Sequence, residues 1–350
     1  MCSQRLDGSV GMRLLIEETG RGESSQVVLR SRLRAVSRRM GFSGIVRERI
    51  ELVCNELLTN QNKHAHGQGM MQAWETRYPC MALNLFAIDF GPGISNPEQA
   101  SQDGFTTANT LGKGLGAIRR LSDECEFFSV PQEFVHEIDW HGFAAWVRFY
   151  PQAPNQQSAW QVGQLLRPYH DLPYNGDDLI LHEFDGRLRW LHLDALGHGK
   201  DAAAILHTIG LPLEYDKPLI EIMGKVGERL QESRGAVGVI GEYAPMAEQV
   251  EVVGIGDMMA CLICNGERRV LEIAPGILGH EHRSMKNNIL HFPQYALMMT
   301  ASDGLRRNWS LRSFPGLWRL HPQLIAFFLG QLKGRANDDK SVLLIRPSPT

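Results

Sequence analysis

No stretch of this chain is apolar for long enough to cross a membrane. Met258–Cys264 and Ile325–Leu329 are among the longest such runs, against the ~18–20 residues that a helical span needs. The N-terminus, Met-Cys-Ser-Gln-Arg-Leu-Asp-Gly, lacks the apolar core of a signal peptide. Cysteine is scarce, 6 in 350 residues, which excludes a disulfide framework and fits a reducing compartment. A large excess of charge is also missing: 36 Lys and Arg against 39 Asp and Glu leave a net charge of −3, too little positive field for a nucleic-acid partner. No fixed-period repeat, Walker A sequence or Rossmann fingerprint occurs. What is present is ordinary for a globular protein, 43% hydrophobic and 21% charged residues. The expectation is a cytoplasmic protein without membrane or nucleic-acid partners, divided at roughly 100–200 residues per domain into two.

The division falls at Pro151-Gln-Ala-Pro154-Asn-Gln-Gln-Ser158, a polar stretch without apolar period. The domains are therefore placed at 1–150 and 160–350, with 151–159 as linker. In the first, Val28, Leu29, Leu33, Val36 and Met40 recur at roughly helical spacing, and Gly41-Phe42-Ser43 breaks the run with Ser43 as N-cap of a helix over about 45–64. Strands are expected at about 70–77, 81–89, 124–130 and 143–150, giving a two-layer α/β sandwich. Past the linker short strands dominate, among them 258–265 and 270–273 around Asn265-Gly266, a hairpin signal. Helices are expected at 199–209, 218–233 and 322–333, so this half reads as a β-sandwich flanked by helices. The fold class is α/β (α+β).

Three pieces of the first domain carry chemistry. Glu56 and Asn60 stand at i and i+4, on one helix face. A carboxamide oxygen can ligate Mg²⁺, and a nearby carboxylate can accept a hydroxyl proton. The strand ending at Asp89-Phe-Gly91-Pro-Gly93 offers an acceptor-only side chain beside glycines that let a flat ring approach the backbone. Leu111-Gly112-Lys-Gly114-Leu-Gly116-Ala-Ile118 reads as a Gly-rich loop running into a helix, where backbone N–H groups can cradle phosphates. Each piece alone is a common surface or turn feature; their order and spacing are not. Together, Asn55-Glu-Leu-Leu-Thr-Asn60, Asp89-Phe-Gly-Pro-Gly93 and Gly112-Lys-Gly-Leu-Gly116 resemble the nucleotide boxes of the GHKL ATPase superfamily, and within it the anti-sigma-factor serine/threonine kinases of the RsbT type. The resemblance covers about residues 10–150. It implies ATP with Mg²⁺, Glu56 as catalytic base, Asn60 as Mg²⁺ ligand and Asp89 as reader of the adenine amino group. Gly91 and Gly93 would then floor the pocket, and Gly112, Gly114 and Gly116 would close over the triphosphate.

The second domain carries aspartates at the ends of expected strands: Asp177-Asp178, Asp194, Asp303 and Asp338-Asp339. Carboxylates packed together are tolerable when hard divalent cations lie between them. These segments, with Val252-Val-Gly-Ile-Gly-Asp257 and Ala274-Pro-Gly-Ile-Leu-Gly279, resemble the SpoIIE-type, RsbX-like metal-dependent protein phosphatases over about residues 160–347. The resemblance implies two Mn²⁺ or Mg²⁺ ions, with Asp194 bridging, Asp177 on one ion, and Asp303 and Asp338 on the other. A water activated by the ions would attack a phosphoserine or phosphothreonine. Asp178 and Asp339 stand as alternatives to Asp177 and Asp338. Family members have Gly where this chain has Ala195, whose carbonyl can still ligate but whose Cβ strains the turn if φ is positive. His198 lies four residues past Asp194 and is not assigned as an acid.

Other signals are discounted. Cys261 and Cys264 on a strand present their thiols to opposite faces, and neither His64-Ala-His66 nor His280-Glu-His282 has further ligands for zinc. The arginines between positions 30 and 49 read as a solvated face, with an acidic partner as the other use. The leading functional expectation is a bifunctional regulator that phosphorylates and dephosphorylates Ser or Thr of a STAS-domain partner, as the resemblance implies for partner switching. The rival expectation keeps only the phosphatase, with the first domain as a non-catalytic ATP-binding docking or sensing module.

Overall fold

The structure, a computed structural model, describes residues 11–19, 23–66, 68–100, 111–134, 139–154, 158–209 and 217–349. Part of the expected linker, 155–157, lies outside them. The chain gathers into two compact units: Gly11–Gln157 with Trp309–Phe328, and Ser158–Asn308 with Leu329–Thr350. Both are mixtures of helices and antiparallel sheet, as the sequence led us to expect.

The first unit contains β1 (Arg13–Glu18), α1 (Glu23–Arg39), α2 (Gly44–His64), β2 (Gly69–Thr76), β3 (Ala82–Asp89), α3 (Pro97–Ala100), α4 (Leu111–Leu121), β4 (Glu124–Val130) and β5 (Gly142–Phe149). Its strands form one antiparallel sheet in the order β1-β2-β3-β5-β4. Helix α1 ends where Gly41 takes φ +81°, the left-handed conformation that glycine adopts without a Cβ penalty. Ser43 then caps α2 by accepting from Val46 N at 3.4 Å. Ile50, Val53, Cys54, Leu57 and Gln61 occupy the buried stripe of α2. The apolar ones join Leu29 and Leu33 of α1, Leu115 and Ile118 of α4, and Met71, Leu85, Ala145 and Val147 of the sheet in one core.

Strand alternation sends Trp74, Phe86 and Trp146 to the other face of that sheet, yet all three are fully buried. Their cover is the segment 309–328. Phe327 lies 5.5 Å from Trp74 and 5.3 Å from Phe86, ring centre to ring centre, and Phe328 lies 4.9 Å from Trp140. His321 stacks on Trp146 at 4.3 Å. A polar layer continues the contact: Asn84 Oδ1 accepts from Trp146 Nε1 and Arg148 Nε, both at 2.9 Å, and Glu126 Oε2 accepts from His321 N at 3.3 Å.

The second unit contains β6 (Trp160–Arg167), β7 (Asp177–Phe184), β8 (Arg187–Ala195), α5 (Lys200–Ile209), α6 (Leu219–Leu230), β9 (Ala236–Ala244), β10 (Gln249–Ile255), β11 (Met259–Cys264), β12 (Glu267–Val270), β13 (Asn288–His291), β14 (Leu297–Ala301) and β15 (Lys340–Pro347). Helix α7 (Pro322–Lys333) is divided between the two units. Two five-stranded sheets, β13-β10-β9-β8-β7 and β12-β11-β14-β15-β6, make the sandwich. Ile222, Met223, Val226 and Leu230 of α6, with Leu206 and Ile209 of α5, pack on Leu191, Leu193, Ile240 and Val253 of the first of these sheets. The hairpin at Asn265-Gly266 forms with φ of +53° and +76°, but its second strand is β12, starting at Glu267 rather than at Val270. A two-residue turn commits the next residue to pairing at once, so Cys264 faces Glu267 and the charged residues Glu267-Arg268-Arg269 become an edge strand. Among the described residues no helix is long and apolar enough to cross a membrane.

Candidate active sites

In the first unit, the C-terminal half of α2, the end of β3 and the start of α4 converge. A small cleft of about 70 Å³ is walled by Asn60, His64, Asp89, Gly91, Gly93, Ile94, Leu115 and Phe143. Burial pushes the Asp89 carboxyl above the usual range, and backbone N–H donors from Gly91 and Phe143 oppose that. Both donate to Oδ1, at 2.9 and 3.1 Å, which fixes the carboxylate plane and leaves Oδ2 to a ligand. Trp140 Nε1 donates to Asp89 O at 3.1 Å and His141 Nδ1 lies 2.8 Å from Gly91 O, pinning the two backbones together. Gly93 has φ +71°, and a Cβ there would lie 2.2 Å from Val130 O, so only glycine fits that floor.

Glu56 is not in the cleft wall; it stands against Gly114. A Cβ on Gly114 would sit 2.9 Å from Glu56 Oε2 and 3.7 Å from the side-chain amide of Asn60. The structure thus brings together Glu56, Asn60 and the glycine segment, and separately Asp89, Gly91, Gly93 and Asn60. One expectation is corrected. Gly112, Gly114 and Gly116 are not in a loop but inside the first turns of α4, which begins at Leu111. Leu115 and Ile118 anchor that helix in the core, and their pull outweighs the roughly 1 kcal/mol that each helical glycine loses relative to alanine. Residues 101–110 lie outside the described set. His141, Trp140 and Gln61, whose Nε2 donates to Met70 O at 3.0 Å and Ile88 O at 3.2 Å, brace the site but escaped the sequence reading. Isolated polar residues carry no periodic signal.

In the second unit, Asp177 and Asp194 face each other across β7 and β8. The turn after β14 and the start of β15 interlock, because a Cβ on Gly304 would lie 1.9 Å from Asp339 O. That packing sets Asp303 beside Asp338. Burial pushes Asp194 up to about 9, aided by the charges of Asp177, Asp303, Asp338 and Asp339, and pushes Asp177 up to about 7. Asp338 is raised by burial and by Asp303 and Asp339. Arg335 lies 3.9 Å from Asp303. Among the described residues no three acidic, His or Cys side chains close on a common ligating point. The donor set is nevertheless all oxygen and mutually repelling, with Asp177 buried and Asp303 and Asp338 partly exposed, which is the chemistry that suits a hard divalent cation.

Hydrogen bonding separates the alternatives. Asp339 commits both oxygens to the backbone, Oδ1 to Tyr169 N at 2.7 Å and Oδ2 to Gly176 N at 2.9 Å, so it is a brace. Asp178 alternates to the other face of β7 and accepts from Leu179 N at 2.8 Å. Ala195 is an ordinary strand residue: it ends β8 and is absent from the positive-φ residues, so its Cβ strains nothing. Its N–H donates to Gly176 O at 2.9 Å. His198 is exposed and lies 5.4 Å from the Tyr169 ring. Ser302 and Ser341, which donate to Asp177 Oδ2 at 2.8 and 2.7 Å, were not anticipated from the sequence. Neither was His192, a fully buried imidazole that burial pushes down to about 3.

The cleft and its surroundings define the first unit as a histidine kinase-like ATPase domain, whose family model matches residues 23–134. The serine/threonine-protein kinase RsbT of Bacillus subtilis is 34% identical over 101 residues, which is 29% of this chain and 75% of that kinase, and the chain belongs to its family. Among solved structures, RsbX in complex with magnesium matches 55% of this chain and 98% of its own at 18% identity and a TM-score of 0.49. The phosphatase domain of SpoIIE from Bacillus subtilis, with a fragment of its regulatory domain, matches 93% of this chain and 96% of its own at 10% identity and a TM-score of 0.45.

Proposed function

We propose that the chain is a cytoplasmic signalling enzyme with two opposed activities, a kinase and a phosphatase acting on Ser or Thr of a STAS-domain partner. What carries the reading is that each activity has its own carboxylate-built site: Glu56 and Asn60 against Gly114 in one unit, and Asp194 among Asp177, Asp303 and Asp338 in the other.

In the first site Asp89 Oδ2 accepts from the adenine amino group while Gly91, Gly93, Leu115 and Phe143 bound the ring. Asn60 is the residue that would hold Mg²⁺ through its carboxamide oxygen, and Glu56 the one that would take the proton of the partner's hydroxyl. The backbone of α4 at Gly112, Gly114 and Gly116 would close over the phosphates, and the absence of a side chain at Gly114 leaves room beside Glu56. Bound ATP supplies the phosphoryl group, whose transfer is a matter of positioning and charge stabilisation.

In the second site Asp177, Asp194, Asp303 and Asp338, with the carbonyl of Ala195, are the groups that would hold two Mn²⁺ or Mg²⁺ ions. Such ions supply Lewis acidity toward phosphoryl oxygen and water. The residues themselves orient the oxygens: Ser302 and Ser341 hold Asp177, while Asp339 fixes the backbone at Tyr169 and Gly176. The test is incubation of a STAS-domain protein with the chain, ATP and Mg²⁺ or Mn²⁺, followed by intact-mass spectrometry. Phosphate that is added with ATP, and removed by metal when ATP is absent, is the expected result; a partner whose mass never changes contradicts the proposal.

A further inference from the structure

His192 sits in the middle of β8, two residues before Asp194, and is fully buried between the two sheets of the second unit. A histidine so placed is expensive unless both ring nitrogens are satisfied. Both are: Nδ1 lies 2.9 Å from Thr300 Oγ1 on β14, and Nε2 lies 2.6 Å from Ser341 Oγ on β15. Ser341 Oγ is also 2.7 Å from Asp177 Oδ2, and Ser302 Oγ is 2.8 Å from the same oxygen.

Counting protons orders this chain. A carboxylate only accepts, so the single hydroxyl proton of Ser341 goes to Asp177. Toward the imidazole Ser341 can then only accept, which puts the ring proton on Nε2. Nδ1 is left as an acceptor, and Thr300 supplies its hydroxyl proton to it. With Asp177 ionised, as a cation ligand is, every group in Thr300–His192–Ser341–Asp177 has one arrangement that satisfies it. Ser302 is placed independently, since its Oγ accepts from Ser341 N at 3.1 Å.

We propose that His192 is a positioning residue for the carboxylate site. It locks the Ser341 hydroxyl onto Asp177 Oδ2 and so leaves Oδ1 of Asp177 as the oxygen presented to a divalent cation. The proposal rests on the reading of these aspartates as metal ligands. Partners one step removed from a metal commonly alter its affinity by about 10–100-fold. Because Ser302 still holds the same oxygen, loss of the His192 contact weakens the site rather than abolishing it.

The two carboxamides separate this role from packing. His192→Asn keeps a group at the Nδ1 position, toward Thr300, and is too short for Ser341; His192→Gln places its N–H near the Nε2 position and keeps the Ser341 contact. The full chain, stripped with chelator, is titrated calorimetrically with Mn²⁺, and kcat at saturating Mn²⁺ is measured with p-nitrophenyl phosphate. His192→Asn should bind Mn²⁺ about 10-fold more weakly with kcat changed less than about 3-fold, while His192→Gln stays within about 3-fold of the parent. Ser341→Ala should match His192→Asn, and combining the two should add little, because they remove one contact. Leu290→Ala, a buried change on β13, should lower thermal stability and leave Mn²⁺ affinity alone. Equal Mn²⁺ affinities for the Asn and Gln variants overturn the proposal, as does a Leu290→Ala loss as large as that of His192→Asn. If His192→Asn does not fold, wild-type affinity in Ser341→Ala overturns it. A parent chain that takes up no Mn²⁺ refutes the metal reading itself, which the parent titration reveals before any variant is compared.

Discussion

The cleft of the first unit and the carboxylate cluster of the second follow opposite electrostatic plans. In the cleft a single carboxylate, Asp89, is already satisfied on one oxygen by two backbone donors and is surrounded by apolar walls. Among the described residues no second carboxylate lines it, so no like charge has to be overcome to form the pocket. In the cluster, Asp194 is raised by its own burial and by four neighbouring aspartates. That site is assembled against its own charge, and the packing of Gly304 on Asp339 together with the serines on Asp177 is what holds it. The first site should behave as a lock that a ligand fills, the second as a strained device that cations relax.

The largest effect tests whether the strained cluster is chemical. Asp194→Ala or Asp303→Ala should lower metal-dependent dephosphorylation of a phosphoserine partner by more than about 1,000-fold, while ATP binding measured by calorimetry stays unchanged. A wild-type rate in either variant contradicts the cluster's role. Next, Glu56→Ala should cut phosphotransfer by about 100–10,000-fold, the range for loss of a general base, with the ATP Kd moved less than about 3-fold. Unaltered transfer would mean that Gly114 faces Glu56 for structural reasons alone.

A third, smaller effect probes preorganisation. Asp89→Asn retains Oδ1 for Gly91 and Phe143, so the fold should persist, but it replaces the outward oxygen with a donor. ATP affinity should fall by about 10–100-fold, the cost of an unpaired buried polar group, and GTP affinity by much less, because guanine presents a carbonyl where adenine presents its amino group. Equal losses for both nucleotides would remove Asp89 from base recognition.

For these candidate sites the sequence pointed to the residues better than to their arrangement. Glu56 and Asn60 were legible because helical periodicity fixes i and i+4 on one face, and Asp89 because a strand end followed by glycines is a local signal. The cluster was legible as four separate aspartates, each next to an apolar run. Their roles were not, since choosing Asp338 over Asp339 depends on which carboxylate the backbone N–H groups of Tyr169 and Gly176 occupy. The glycines of α4 misled for a related reason: glycine suggests a loop locally, and only the core contacts of Leu115 and Ile118 make that segment helical. Least visible was the cover of 309–328 over Trp74, Phe86 and Trp146, a pairing of residues far apart in the chain that no local pattern encodes.

The smallest effect concerns stability without ligands. Asp177 and Asp194 are pushed up to about 7 and about 9, well above the ~3.9 of a free aspartate. A carboxyl raised by folding contributes most below its unfolded pKa and loses that contribution as pH rises through the folded value. The chelated chain should therefore melt at progressively lower temperature as pH rises toward 9, and Mn²⁺ should reverse the trend. Asp194→Asn should flatten the pH dependence and raise the metal-free Tm by a few degrees, on the order of 1 kcal/mol, while abolishing the gain from Mn²⁺. A metal-free Tm that rises with pH would show that the cluster is not strained.

The coexistence of two independent, opposed activities on one chain is tested most directly by the phosphorylation state of a single STAS-domain partner. Wild type, Glu56→Ala and Asp194→Ala are each incubated with that partner, ATP and Mn²⁺, and its intact mass is followed over time. Asp194→Ala should drive the partner to the phosphorylated form and hold it there, Glu56→Ala should strip phosphate from a pre-phosphorylated partner and add none, and wild type should settle between them. An Asp194→Ala protein that never phosphorylates the partner, while Glu56→Ala and wild type strip it at equal rates, would contradict the account and leave the chain a phosphatase with an ATP-binding module.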